Sequence, residues 1–156
     1  MKGNEKVLAS LNSALHEELT AVHQYMLDAE MCQNWGYSRL ASLIQKQAID
    51  EMKHAERLME RILFLDGTPE MGGNFTVVPA ASVQALFEQQ LKMELAAVQQ
   101  YNASAKVCQE AGDNGSKELF ESLLKDEESH VDFLESQLTL IQQAGLDNYL
   151  AQQIRS

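Results

Sequence analysis

Proline is nearly missing from this chain. Two prolines and eight glycines among 156 residues leave little of the turn chemistry that a many-stranded β fold needs, so helix is the expected secondary structure. Cysteine is scarce too. Cys32 and Cys108 cannot build a disulfide framework. They are expected as reduced thiols near helix ends, in a reducing compartment. Basic side chains are few: 12 Lys and Arg against 23 Asp and Glu, a net charge of −11. Such a surface repels phosphate backbones, which excludes nucleic acid as a partner, and it attracts cations. No apolar run approaches the ~18 residues of a membrane span. The first residues, Met1-Lys2-Gly3-Asn4-Glu5-Lys6, show no apolar run behind a basic flank. No signal peptide is expected, and the expected location is the cytoplasm.

What the chain does have, it has twice. Glu18-Leu19-Thr20-Ala21-Val22-His23-Gln24-Tyr25 returns as Glu94-Leu95-Ala96-Ala97-Val98-Gln99-Gln100-Tyr101. Asp50-Glu51-Met52-Lys53-His54 returns as Asp126-Glu127-Glu128-Ser129-His130. One offset, 76 residues, relates all of these pairs (94 − 18, 127 − 51, 130 − 54), and it also relates Cys32 to Cys108. Each half therefore holds a Glu and, 33 residues on (51 − 18, 127 − 94), a Glu-x-x-His. If a two-fold axis relates the halves, the two thiols lie at opposite ends and out of bonding reach.

Apolar residues spaced three and four apart predict four long helices. The first covers about residues 5–35, with Leu8, Leu11, Leu15, Glu18, Val22, Tyr25 and Ala29 on one stripe. Gly36 ends it, and Ser38 is the expected cap of the second, about 38–65, whose stripe is Leu40, Ile44, Gln47, Glu51, His54, Leu58, Ile62 and Leu65. The third, about 82–111, starts at a Ser82 cap and aligns Phe87, Leu91, Glu94, Val98, Tyr101 and Ala105. The fourth, about 116–144, is expected to be capped by Ser116; it aligns Phe120, Leu123, Glu127, His130, Leu134, Leu138 and Ile141 and stops at Gly145. A short fifth helix, about 147–153, follows. The long link 66–81 has a geometric reason. Sixteen extended residues reach roughly 50 Å, more than the ~40 Å length of the second helix. The link can cross the whole bundle. The expected fold is all-α: one ferritin-like four-helix bundle over residues 1–156, two hairpins joined by a single crossover.

Six stripe positions are anomalous. Glu18, Glu51, His54, Glu94, Glu127 and His130 stand where Leu, Ile, Val or Phe otherwise stand, and no Lys or Arg lies on these stripes to pair with them. An unpaired buried carboxylate costs several kcal/mol. Two dications would balance four carboxylates. Residues three apart on a helix share a face, so each Glu-x-x-His offers an oxygen and a nitrogen to one region. Each metal then takes one terminal Glu and one His, and Glu51 and Glu127 bridge. This matches the known ligation pattern of di-iron bundles. Oxygen and imidazole donors without thiolate suit iron or manganese. Tyr25 and Tyr101, on the same stripes, are expected as packed phenols bonded to carboxylates; a redox role for Tyr25 is the sharper alternative.

With these residues in view, the chain resembles the bacterioferritins along nearly its whole length. The resemblance is carried by Met1-Lys2-Gly3, Glu18-Leu19 to Gln24-Tyr25, Asn34-Trp35-Gly36, Asp50-Glu51-Met52-Lys53-His54-Ala55, Glu60-Arg61-Ile62-Leu63-Phe64-Leu65, Asp126-Glu127-Glu128 with His130, and Leu146 to Leu150. It implies a ferroxidase centre at the six residues, which oxidises Fe(II) with oxygen or peroxide, and iron storage inside a shell of 24 subunits. It implies haem shared by two subunits, with Met52 as axial ligand and electron transfer for iron release as its task. It admits a second ferritin-like subunit type and a ferredoxin-like reductant as partners. Geometry leaves Met52 free for such a role: at 100° per residue it projects roughly 130° from the bisector of Glu51 and His54. Leu19, Val22, Met26 and Ile49 are candidates to line the slot. Three positions depart from the commoner family residues: Lys46 replaces a frequent His, and Leu58 and Phe133 stand where many members have other aromatic groups. His23, Asp28 and Glu30 also differ.

Two rival functions use the same residues. One is another di-metal carboxylate enzyme on the same bundle, such as a peroxidase, an oxygenase or a manganese catalase. The other is a non-enzymatic helical interaction module with its carboxylates in water.

Overall fold

Five helices form in a computed structural model that describes residues 1–155. They are α1 (Glu5–Asn34), α2 (Ser38–Phe64), α3 (Val83–Glu110), α4 (Asn114–Ala144) and α5 (Leu146–Ala151). No strand is present among the described residues. α1 packs against α2 and α3, α3 against α4, and α5 against the end of α4. α1 and α2 run antiparallel. Gly3 N–H donates to Leu65 O, which ties the start of α1 to the end of α2. Gln90 reaches Asp28 and Gln100 reaches Ser13, so α3 runs opposite to α1.

The repeat extends to the way helices end. After α1, Gly36 N–H bonds to Gln33 O and Tyr37 N–H to Cys32 O; after α3, Gly112 N–H bonds to Gln109 O and Asp113 N–H to Cys108 O. Both glycines have positive φ, 91° and 71°, which the closing turn requires and which glycine adopts without strain. The starts differ from expectation. Ser38 is the first residue of α2 rather than its cap, and Tyr37 at the cap position makes no side-chain bond. Ser116 does not cap α4. Asp113 does, accepting from Ser116 N–H, and α4 therefore begins at Asn114. Asp113 also takes the Arg61 guanidinium at 2.8 Å. An aspartate that serves a helix end and an arginine together displaces serine from the cap. Ser82 caps α3 as expected, accepting from Ala85 N–H.

The link between α2 and α3 does cross the bundle, and α1 holds it with two amide side chains. Asn12 donates to Thr68 O and accepts from Glu70 N–H. Gln24 donates to Val78 O and accepts from Val78 N–H. Asn12 and Gln24 lie about 18 Å apart along α1, and the link runs beside it. Phe75 lies between the rings of His16 and His23, with centroid distances of 5.0 and 4.6 Å.

Two apolar clusters fill the bundle, one toward each end. One holds Tyr25, Cys32, Leu40, Ile44, Phe87 and Tyr149; the other holds Leu11, Leu58, Ile62, Tyr101, Cys108 and Phe120. The two thiols thus sit in different clusters, free and buried. Burial pushes Cys32 up to about 12 and Cys108 to about 11, so neither is a thiolate near neutral pH. Between the clusters lies a polar layer.

Candidate metal centre

All four long helices supply that layer. α1 gives Glu18 and α3 gives Glu94, while α2 gives Glu51 and His54 and α4 gives Glu127 and His130. The four carboxylates are 1–2% exposed and His54 is 5% exposed. Solvated carboxylates, which the interaction-module reading needs, are therefore ruled out. Two overlapping groups form, each with its donor atoms within 4.8 Å of one another: Glu18, Glu51, His54 and Glu127, and Glu51, Glu94, Glu127 and His130. Glu51 and Glu127 belong to both. The halves are near copies. His54 Nδ1 lies 2.9 Å from Glu127, 3.5 Å from Glu51 and 3.6 Å from Glu18. His130 Nδ1 lies 2.9 Å from Glu51, 3.4 Å from Glu127 and 3.7 Å from Glu94.

These donors crowd together without satisfying one another. Glu18 Oε2, Glu51 Oε1, Glu94 Oε2, Glu127 Oε1 and both histidine Nδ1 atoms have no aligned hydrogen-bond partner. Buried polar atoms are nearly always partnered. Six orphans converging in one layer fit lone pairs aimed at shared points rather than at each other. The tyrosines restrain the other oxygens. Tyr25 on α1 donates to Glu94 Oε1 on α3, and Tyr101 on α3 donates to Glu18 Oε1 on α1. Each terminal carboxylate has one oxygen held and one free.

Without metal, protons carry the positive charge. Desolvation holds Glu51 and Glu94 well above the carboxylate range, and like charges add to the effect. Desolvation works against charged imidazole, but Glu127, Glu51 and Glu94 outweigh it and push His130 up to about 12. His54 moves the same way, with the nearby Glu127, Glu18 and Glu51 carboxylates overcoming its burial. Glu127 goes down: burial raises it, but the closeness of Glu94, His130 and His54 wins. The layer is built for positive charge, and protons hold its place.

One contact went unread in the sequence. Asp126 accepts from His54 Nε2 at 3.1 Å, which turns Nδ1 inward. The repeated Asp50/Asp126 pair was the available signal, although Asp50 makes no such bond to His130 among the described residues. Met52 lies outside the layer. It is 44% exposed; Met26 and Ile49 are exposed as well, and Leu19 and Val22 are half-buried. Exposed apolar side chains thus remain on both α1 and α2 outside the polar layer.

The family model for the ferritin-like domain matches residues 8–144. A bacterioferritin of Brucella melitensis is 42% identical over 149 residues, 96% of this chain and 92% of the relative. Bacterioferritins of Mycolicibacterium paratuberculosis and Rhodobacter capsulatus are 38% and 39% identical, covering 97% and 93% of this chain and 96% and 90% of theirs. The chain belongs to the bacterioferritins.

Among bacterioferritin positions noted as departures, Lys46 is exposed and Leu58 is fully buried in the second apolar cluster. Phe133 is a partly buried member of the first cluster. Asp28 is also accounted for. Its carboxylate is fully buried, accepts from Gln24 and Gln90, and so backs the Gln24 clamp on the link. His23 stacks on Phe75. Nothing in the structure explains Glu30.

Proposed function

We propose that this chain stores iron and oxidises Fe(II) to Fe(III) at the Glu/His layer, as a homo-oligomer whose family form is a shell of 24 copies. One observation carries the reading: two overlapping sets of buried, unpartnered oxygen and nitrogen donors that share Glu51 and Glu127. Fe(II) is the substrate. Glu18 and His54 hold one ion, Glu94 and His130 hold the other, and the two carboxylates common to both sets bridge. Each ion gives up one electron to oxygen or peroxide; two electrons and two protons convert one peroxide to two waters. The protein's work is placement. It excludes bulk water from two ions, and Tyr25 and Tyr101 fix the terminal carboxylates. Asp126 fixes the tautomer of His54. Loading exchanges protons for dications and stabilises the fold, because the ligands no longer face one another uncompensated.

Haem would be held by Met52. A thioether is a haem-iron ligand, and exposed Met26 and Ile49 supply an apolar surface that a second copy can complete. Bound haem would supply an electron-transfer group for iron release.

The direct experiment is anaerobic Fe(II) titration of metal-free protein, followed by oxidant. Two Fe(II) per subunit, oxidised together, and ferric mineral inside a large assembly are expected. A small assembly, or turnover of an organic substrate with no mineral, would favour another di-metal enzyme.

A further inference from the structure

On their inner sides the two histidines are matched. The distances from Nδ1 to the three nearest glutamates are 2.9, 3.5 and 3.6 Å for His54 and 2.9, 3.4 and 3.7 Å for His130. Their outer sides are not matched. Both rings border a cavity of about 410 Å³ between α2 and α4, together with Asp50, Asp126 and Arg57. There His54 Nε2 donates to Asp126 Oδ2 at 3.1 Å. His130 Nε2 has no hydrogen-bond partner among the described residues. Asp50, the repeat counterpart of Asp126, borders the same cavity but makes no side-chain hydrogen bond or ion pair with a described residue.

The support behind Asp126 is not repeated either. Arg57 lies 3.9 Å from the Asp126 carboxylate and is anchored by donating to Ser122 Oγ at 2.9 Å. At the repeat positions Arg57 becomes Phe133 and Ser122 becomes Lys46. Phe133 packs against the first apolar cluster, and Lys46 is exposed. Behind His54 stand a carboxylate and an anchored cation; behind His130 the described residues place neither. The His130 side chain is also the more open of the two, 14% exposed against 7% for His54. A carboxylate on the outer nitrogen of a metal-binding imidazole fixes which nitrogen faces the metal. It also fixes the ring's angle and makes the inner nitrogen a stronger donor.

We infer that the two metal positions are unequal: Asp126, with Arg57 behind it, makes the Glu18/His54 position fill first and hold tighter, and the pair is completed at Glu94/His130. The inference rests on the di-metal reading of the layer and goes beyond it, since that reading treats the two halves alike. Asp126 and Arg57 are positioning residues, because neither belongs to the donor sets. Loss of a partner that orients a ligand costs about 10–100-fold in metal affinity. An exposed ion pair adds at most about five-fold, so Asp126 carries most of the difference.

The test is calorimetric titration of the metal-free full-length protein with Co(II). Parent protein is expected to bind two Co(II) per subunit in two steps whose dissociation constants differ by about ten-fold or more. The Asp126 side chain is 51% exposed, so its truncation leaves the core intact. Asp126→Ala is expected to weaken the tighter step alone and bring the two together. Asp126→Asn, which keeps an acceptor for Nε2–H, restores part of the gap, and Arg57→Gln narrows the gap less than Asp126→Ala does. A merely structural role would weaken both steps alike. One-site variants read which position each step fills. Glu94→Ala keeps Glu18 and His54, and is expected to hold its Co(II) about ten-fold tighter than Glu18→Ala holds its own. Adding Asp126→Ala should lower affinity in the Glu94→Ala background and not in the other. Two equal steps in parent protein, or equal loss at both steps in Asp126→Ala, overturn the inference. If parent protein binds fewer than two Co(II), the metal layer itself has been misread, a failure distinct from that of the filling order.

Discussion

Tyr25 on α1 donates its hydroxyl hydrogen to Glu94 on α3, and Tyr101 on α3 returns the same bond to Glu18 on α1. The two bonds are related by the internal repeat, so each terminal ligand is held by a phenol from the opposite half. A donor removed from a buried carboxylate costs about 1–3 kcal/mol, and loss of a group that orients a ligand typically costs 10–100-fold in metal affinity. Tyr25→Phe and Tyr101→Phe are therefore expected to weaken metal binding by similar factors, measured by calorimetric titration with Co(II). The equality is informative. If Tyr25→Phe slows Fe(II) oxidation at saturating metal far more than Tyr101→Phe does, Tyr25 takes part in electron transfer as well as positioning.

Glu51 and Glu127 lie in both donor sets, whereas Glu18 and Glu94 lie in one each. Truncations should follow that division. Glu18→Ala is expected to leave one strongly held metal per subunit, and Glu51→Ala to leave none, as counted by elemental analysis after gel filtration. Burial and neighbouring charge raise the proton affinity of Glu51 and Glu94, and the surrounding carboxylates raise that of His130 against its burial, so metal must displace protons. Parent affinity should climb with pH, with protons released in calorimetry across buffers of different ionisation enthalpy. Equal metal loss in both variants would contradict the bridging assignment.

Asp28 offers a pH effect outside the metal layer. Desolvation raises its carboxyl from 3.8 to about 6, against the lowering effect of its bonds from Gln90 and Gln24. Folded protein thus keeps a proton that the unfolded chain has already lost over this interval. The stability contributed is full below about pH 4 and drains away as the pH rises through 6. A shift of about two units corresponds to about 3 kcal/mol. Asp28→Asn cannot lose that proton. Its stability relative to the parent is expected to improve by up to that amount between pH 4 and pH 7, in urea titrations of metal-free protein. Parallel pH profiles for the two proteins would show that Asp28 does not titrate there.

Much of this was legible beforehand because it is periodic. A stripe of Leu and Ile interrupted by Glu51 and His54, and interrupted again 76 residues later by Glu127 and His130, states both that the positions are buried and that they are polar. Helix and buried polar layer follow from that conflict. Contacts that depend on a single side chain bridging distant segments were not legible. Gln24 clamping Val78 has no period and no repeat counterpart, since residue 100, also a Gln, bonds to Ser13 instead. The α4 cap was misplaced for a similar reason. Ser116 looks like a cap locally, but Asp113 wins because Arg61, 52 residues earlier, gives its carboxylate a second use.

Met52 directly follows a proposed bridging ligand yet faces the other way, 44% exposed while Glu51 is 1% exposed. One helix turn thus presents a carboxylate to the interior and a thioether to the outside. The repeat keeps the first and drops the second, because the counterpart of Met52 is Glu128. If the thioether serves haem, the two functions should separate cleanly. Met52→Ala is expected to abolish haem binding, seen as loss of the Soret band after reconstitution with haemin. Metal count and the rate of Fe(II) oxidation should stay at parent values, since no atom of Met52 reaches the donor sets. Release of stored iron to an external reductant should slow. Retention of a parent-strength Soret band in Met52→Ala would place any haem elsewhere.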